Sequence, residues 1–192
     1  DFFVFDFCGN LEYFSQDLPG SEGQLQKSLS QRLFEARLGL VLALGSTEPE
    51  LRASTVATLH EIVAGMNLDN FVVRRQRRTV ERFADASAWA MLAPEDAEAA
   101  LTLAGLPSAV RDDDEDAKRF DLLVLRRQLA QLDGEIVLAE RLRETIQDIA
   151  AALLEKTAIP SVAEQAVLLE SVAGDEWWVD VTLPMLELAR LR

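Results

Sequence analysis

Apolar side chains recur every three or four residues along most of the chain, and this period constrains the fold more than any other feature of the sequence. Gly45 closes the first run, whose members are Leu25, Leu29, Leu33, Ala36, Leu40 and Leu44. A period near 3.6 residues places such side chains on one side of an α-helix, and glycine commonly ends a helix. A second run from Leu51 to Met66 follows a very short loop, which predicts an antiparallel helical hairpin.

The second half of the chain has the same period. Apolar residues between Phe120 and Leu153 suit either one helix of about 50 Å or two helices broken at Asp133 and Gly134, and we expect the break. Five consecutive acids at 112–116 precede this region. We interpret them as an acid-rich first turn stabilised by the helix dipole, since consecutive acids diverge around a helix and do not converge on a cation.

Polar pairs and prolines indicate further helix boundaries. Additional helices are predicted from Pro94 to Ala104 and from near Thr182 to the last residue. In a capping box, two side chains satisfy each other's backbone N–H groups. Three pairs have the required spacing: Ser21 with Gln24, Thr47 with Glu50, and Ser161 with Glu164.

The opening segment DFFVFDF differs from the rest because its aromatic and β-branched residues predict a short buried strand. An isolated strand cannot satisfy its backbone donors and acceptors, so we expect its sheet partners in a preceding part of a larger protein. The predicted fold is mainly α, a bundle of about seven to nine helices with this short N-terminal strand. We expect a strand and linker at 1–20, an N-terminal helical lobe at 21–105 and a C-terminal helical lobe at 106–192.

The charge balance and residue types exclude several classes of protein. With 33 acidic and 19 basic residues the net charge is −14, which disfavours a surface uniformly attractive to nucleic acid or anionic membrane but leaves room for a local basic patch. A single cysteine, Cys8, and a single histidine, His60, exclude a disulfide framework and a Cys/His zinc site within the chain. The longest uncharged apolar run, 38–44, is too short to cross a bilayer. We expect a cytoplasmic protein without membrane contact.

No sequence pattern predicts a catalytic centre. The chain has no Gly-Lys-Ser or Gly-Lys-Thr phosphate loop. No motif places a serine or cysteine nucleophile for His60, which we interpret as a packed or surface histidine. Asp116, Ala117 and Lys118 match the acid-x-Lys fragment of a nuclease core, but at a helix start where that core needs a strand. We expect no enzyme activity, metal site or cofactor in this chain.

Five arginines lie in the segment FVVRRQRRTVERF, residues 71–83, where Glu81 is the one acid. In a single helix drawn at 100° per residue, one face carries Val73, Val80, Phe83 and Ala84. The opposite face carries Arg74, Arg75, Arg78 and Arg82, with Arg77 beside it.

These arginines have two interpretations. They neutralise the surplus carboxylates of neighbouring helices, or they bind phosphate oxygens of DNA, which guanidinium groups match in shape. Five backbone contacts predict a loss of affinity of about 500-fold between 50 and 200 mM salt. Such contacts position a protein without reading bases.

Trp177 and Trp178 are candidates for docking a partner. Because they are adjacent, they cannot both face one core if they lie on a helix. One packs inward and the other is available to anchor a neighbouring protein. The alternative is an ordinary core role for the pair.

Five segments of the chain carry a resemblance: FVFDFCGNLEYF, VRRQRRTVERFADASAWAML, AKRFDLLVLRRQLAQL, IPSVAEQ and DEWWVDVTLPMLELARLR. In this order they resemble the C-terminal region of the R subunit of type I restriction endonucleases, which follows the second RecA-like helicase domain. The first and last segments are the most specific. By this resemblance the opening strand is the last strand of a helicase sheet.

The resemblance implies an ATP-dependent DNA translocase and restriction subunit that works with a methylase and a specificity subunit and requires ATP and magnesium. It places the phosphate loop, the acidic metal-holding motif and the nuclease core before Asp1, so no catalytic residue is carried onto this sequence. Related motor helicases share parts of the pattern. Recognition of the DNA target belongs to another subunit in this family.

The expected function is therefore that of a non-catalytic helical module of such a subunit. It contacts duplex backbone through the arginines at 74–82 and docks the methylase and specificity subunits through its helical faces. The alternative is a purely protein-binding scaffold whose arginines pair internally, which the acidity of the chain favours. An independent nuclease is a third interpretation.

Overall fold

The computed structural model describes residues 27–110 and 114–191, which form eleven α-helices and one 3-10 helix. They are α1 Leu29–Leu44, α2 Pro49–Ala64, α3 Phe71–Arg74, α4 Arg77–Phe83, the 3-10 helix Ala86–Trp89, α5 Pro94–Leu101, α6 Glu115–Leu132, α7 Ile136–Leu154, α8 Pro160–Glu164, α9 Ala166–Ala173, α10 Glu176–Val179 and α11 Leu183–Leu191. The mainly α prediction is confirmed. The expected N-terminal strand and the Ser21–Gln24 capping box lie outside the described residues.

The helices of the described ranges outnumber the predicted seven to nine because several are short. The arginine-bearing segment divides at Gln76, and the helix predicted from Ser161 divides at Gln165. The helix that begins at Pro94 ends at Leu101, before Ala104. None of the helices in the described part of the chain is long and apolar enough to cross a membrane.

The start of α6 and its separation from α7 agree with the predictions from the sequence. Asp114 caps α6, since its carboxylate accepts from the backbone N–H groups of Asp116 and Ala117 at 3.0 and 2.9 Å. The acid-rich first turn is thus confirmed for the described acids of that run. Gly134 has a φ of 71°, a left-handed backbone conformation, and lies between α6 and α7. The predicted break between these helices is therefore confirmed.

Two predicted capping boxes are wrong, and a proline is the cause in each case. The Thr47 hydroxyl donates to the Leu44 carbonyl at the end of α1, and α2 begins at Pro49 without a side-chain cap. Ser161 lies inside α8, which begins at Pro160. Proline lacks one of the N–H groups that are unpaired in the first turn and holds φ near the helical value, so it favours a helix that begins at its own position.

Helix α1 is buried on two sides. On one side, Phe34, Leu38 and Val41 join the core of the N-terminal helices. The other members of that core are Leu59, Val63, Met66, Val73, Val80, Phe83, Trp89, Ala100 and Leu103. On the other side, α1 packs against α6 through a second set of buried residues, which comprises Leu33, Leu40, Leu44, Leu51, Leu122, Leu125 and Leu183.

A third cluster lies on the far side of α6, between α6, α7 and the last three helices. Its buried members are Val124, Ile146, Ala150, Val172, Trp178 and Leu186. Helices α1 and α6 therefore form the middle of the bundle, with apolar contacts on both sides of each. The proposed lobe boundary near residue 105 falls in the connection between α5 and α6 and stays a prediction.

An ion network crosses the contact between α1, α6 and α11. Arg37 Nη2 and Arg190 Nη1 donate to Asp121 Oδ2 at 3.1 and 2.8 Å, and Arg190 Nη2 donates to Glu187 Oε1 at 2.6 Å. Burial raises the pKa of the Asp121 carboxyl, against the attraction of Arg190 and Arg37. Because the folded state then holds the proton more tightly than the unfolded chain, the stabilisation from this carboxyl decreases as pH rises through the range above its ordinary pKa.

Replacing Asp121 with leucine should destabilise the protein by about 2 to 3 kcal/mol, because the mostly buried Arg37 loses its ion-pair partner. The double variant Arg37→Met, Asp121→Leu should recover most of this loss. Burial lowers the pKa of Arg37, so its charge is costly to hold at this site.

Urea unfolding gives the free energy of unfolding of each variant. Lys27→Ala is the matched control, because Lys27 pairs with Glu35 at the surface, and it should change stability by less than about 0.5 kcal/mol. A double variant as unstable as Asp121→Leu would contradict the assignment of the loss to an uncompensated charge.

Candidate nucleic-acid interface

The arginine-bearing segment begins after a loop ordered by two asparagine side chains. Asn67 Oδ1 accepts from the Asp69 N–H, and Asn70 Oδ1 accepts from the Val72 N–H, both at 2.9 Å. Asn70 is thus the N-cap of α3. The helix stops after one turn, and α4 begins beyond Gln76, whose φ and ψ of −106° and 20° interrupt the helical backbone.

The inner side of this segment belongs to the core. Val73, Val80 and Phe83 are buried, which confirms three of the four residues predicted for that face. The fourth, Ala84, is exposed, so its placement was wrong. It is the C-cap of α4, where the chain turns away from the helix axis towards the 3-10 helix.

Trp89 anchors the end of α4. It is fully buried, its indole Nε1 donates to the Phe83 carbonyl at 2.8 Å, and the two rings lie 5.0 Å apart at 58°. His60 Nε2 lies 2.8 Å from the Ala84 carbonyl, which can only accept, so this nitrogen carries the proton. Arg52 Nη2 donates to the Trp89 carbonyl at 3.1 Å. The segment is therefore fixed to α2 by side chain to backbone bonds.

All five arginines of the segment are exposed. We call this surface the arginine ridge, and it comprises Arg74, Arg75, Arg77, Arg78 and Arg82. The ridge is presented on two short helices and not on the single continuous helix that the sequence suggested.

Two members of the ridge pair with carboxylates. Arg77 Nε donates to Glu81 Oε1 at 2.7 Å, a hydrogen bond that raises the pKa of Arg77. This pair has arginine N-terminal to glutamate, the weaker order on a helix. Arg82 pairs with Asp96 of α5, which also accepts from the Ala93 N–H. The internal-pairing interpretation thus applies to these two arginines.

Arg74, Arg75 and Arg78 make no ion pair with the described residues. The Arg75 guanidinium instead lies over the ring of Phe71, 5.1 Å from its centroid. Arg78 is in the first turn of α4, where no acid is present and the helix dipole disfavours a positive charge. Within residues 27–110 and 114–191, three positive groups at this surface therefore have no carboxylate partner.

The two adjacent tryptophans have different surroundings. Trp178 is buried in the third cluster and its Nε1 donates to the Val172 carbonyl at 2.8 Å, so it has a core role. Trp177 is partly exposed and meets Trp178 edge to face at 4.8 Å. Partner docking by this pair stays a prediction that falls on Trp177.

The acid-x-Lys match lies on the first turn of α6, and its side chains pair within that helix. Lys118 binds Glu115, and Arg119 Nη1 donates to Asp116 Oδ1 at 2.7 Å. Among the residues that the structure describes, no group of three or more His, Cys, Asp or Glu side chains is placed to hold a metal ion.

Sequence reasoning missed Phe71 as a member of this surface. The signal was present, because Phe71 and Arg75 are four residues apart and such residues are neighbours on a helix. The role of Asp96 had no comparable signal, since its contact with Arg82 joins residues on different helices.

Changing Trp89 to phenylalanine should destabilise the protein by about 2 to 3 kcal/mol, because the Phe83 carbonyl loses its donor and the smaller ring leaves a cavity. Thermal or urea unfolding measures the change. Met91→Ala is the control, since Met91 is exposed, and it should cost less than about 0.5 kcal/mol. Equal stabilities of the two variants would show that Trp89 does not anchor the ridge.

The geometry and charge of the ridge are the basis for assigning a function to this surface. Arginine side chains suit phosphate oxygens because their N–H groups form a planar fork.

Comparisons of the chain with protein-family models, curated proteins and solved structures find no match.

Proposed function

We propose that the chain is a non-catalytic helical module that binds the backbone of duplex DNA without sequence preference through the arginine ridge. Arg74, Arg75 and Arg78 supply the principal phosphate contacts. The resemblance to type I restriction R subunits supports a place in an ATP-dependent DNA translocase, acting in the cytoplasm with a methylase and a specificity subunit. In that setting the exposed helical faces, including Trp177, dock the other subunits.

One observation carries this proposal: three exposed guanidiniums lie close together in sequence without an ion pair to the described residues. A protein with net charge −14 has abundant carboxylates to neutralise arginines that serve only stability. In the described part of the chain these three have no carboxylate partner, and they lie on a segment that Trp89 and His60 hold in place. Guanidinium groups without a carboxylate partner, on a segment that is held to the core, favour recognition of an anion.

The magnitude of the salt effect distinguishes three contacts from five. The logarithm of the affinity falls with the logarithm of the salt concentration with a slope of about −0.9 per phosphate contact. Raising the salt from 50 to 200 mM therefore weakens binding about 40-fold for three contacts and about 500-fold for five. Because Arg77 and Arg82 already pair with Glu81 and Asp96, we expect the smaller value. The surrounding negative charge weakens the interaction further and confines it to the ridge.

Fluorescence anisotropy with a labelled non-specific duplex at both salt concentrations tests this prediction. The triple variant Arg74→Ala, Arg75→Ala, Arg78→Ala should lose most of the affinity and flatten the salt dependence. The control triple variant Arg32→Ala, Arg119→Ala, Arg141→Ala removes the same charge from exposed positions on α1, α6 and α7. The control variant should show the same dependence of DNA affinity on salt concentration as the unchanged protein.

A protein-binding scaffold is the second candidate function, and the internal pairing of Arg77 and Arg82 favours it. Its surface for partners would include Ile136 and Val137, which are both exposed at the start of α7. No duplex binding at 50 mM salt, or equal binding by the two triple variants, would support the scaffold and reject the DNA contact.

We also predict that the chain does not cleave DNA. Incubating it with supercoiled plasmid and magnesium should leave the plasmid intact, because Asp116 and Lys118 are engaged within the first turn of α6. Agarose gel electrophoresis detects nicking, and an Asp116→Asn variant identifies a contaminating nuclease. Cleavage that disappears in this variant would contradict a non-catalytic role.

A further inference from the structure

Phe71 is an exposed aromatic residue within the arginine ridge surface. The residue is 73% exposed, and the next residue, Val72, is half exposed. Phenylalanine is normally among the most buried residue types. The Asn70 cap holds the first turn of α3 in place, so the ring is presented from an ordered backbone.

The burial of Val73 explains why Phe71 faces outward. Val73 is fully buried, and a helix rotates by about 100° per residue, which places a residue two positions earlier on the other side. The same rotation places Phe71 beside Arg75. The guanidinium of Arg75 covers one face of the ring at 5.1 Å. Since the residue as a whole is 73% exposed, the described residues leave much of the remaining surface of Phe71 accessible.

We propose that Phe71 stacks on an unpaired base, so that this surface binds single-stranded DNA as well as the backbone of a duplex. This inference rests on the proposed function, because phosphate contacts by the ridge bring the strand to the ring. Every base has a flat π face, and stacking on an aromatic side chain therefore requires no particular sequence. In a duplex the bases stack on one another, so only unpaired bases reach Phe71.

The charge around Phe71 favours a nucleotide over an apolar peptide. Phe71 and Val72 are flanked by Arg74 and Arg75, so a partner needs negative charge beside a flat apolar group. A nucleotide combines these two features within one unit. Docking of a protein generally needs a larger contiguous apolar surface than two side chains supply.

Two substitutions separate ring stacking from general apolar contact. Phe71→Leu keeps an apolar side chain but removes the aromatic ring, and Phe71→Trp keeps a ring. Binding of a labelled oligothymidine should weaken about 5- to 150-fold in Phe71→Leu and stay within twofold in Phe71→Trp. Duplex binding should change by less than twofold in both. Ile136→Ala, at an exposed apolar site on α7, should leave both affinities unchanged.

A single strand that contains 2-aminopurine gives a direct reading of stacking, since the fluorescence of this base falls when it stacks. We expect quenching with the unchanged protein and Phe71→Trp, and little quenching with Phe71→Leu. If duplex binding shows the expected salt dependence but Phe71→Leu binds the single strand as well as the unchanged protein, the stacking inference is rejected and the proposed function stands.

Absence of binding to both forms of DNA at 50 mM salt would reject the proposed function and the inference together. A competition experiment provides a further test, in which a polyglutamate peptide is added to the complex of the protein with labelled oligothymidine. If the peptide displaces the labelled strand at the same concentration as unlabelled oligothymidine does, the inference is also overturned, because the surface would then recognise negative charge alone.

Discussion

The burial of α1 on two sides is the constraint on which the rest of the structure depends. A surface helix needs one apolar face, but α1 supplies Phe34 and Leu38 to one cluster and Leu33 and Leu40 to another. The remaining helices therefore pack around it instead of forming a single layer. Its contact with α6 joins the helices that carry the arginine ridge to those that hold Trp178.

The periodicity of apolar residues was enough to predict the long helices. Apolar side chains at this spacing lie on one side of a helix, and that side is buried when the helices pack together. The break at Gly134 was also predictable, since a left-handed residue has a strong local preference. The boundaries at Thr47 and Ser161 were not. Two local signals competed at each of these sites, and the geometry of Pro49 and Pro160 decided the start of the helix.

The candidate site was predictable in composition but not in its pairing. Helical projection placed the arginines outside and Val73, Val80 and Phe83 inside, which the structure confirms. The Arg77–Glu81 pair has the local i,i+4 spacing, but the pairing of Arg82 depends on the approach of α5, and the local pattern predicts neither that contact nor the interruption at Gln76. The distinction between paired and unpaired arginines thus required the three-dimensional arrangement.

The interruption at Gln76 gives Phe71 and the arginines of α4 separate supports. The Gln76 N–H donates to the Val73 carbonyl and the Gln76 carbonyl accepts from the Val80 N–H, so few backbone hydrogen bonds join the two short helices and a small change in their angle disrupts few of them. Nucleotides vary in the distance between a base and its neighbouring phosphates. If the ridge binds DNA as proposed, this interruption would let the two short helices adjust to that variation while Val73 and Val80 stay buried in the core.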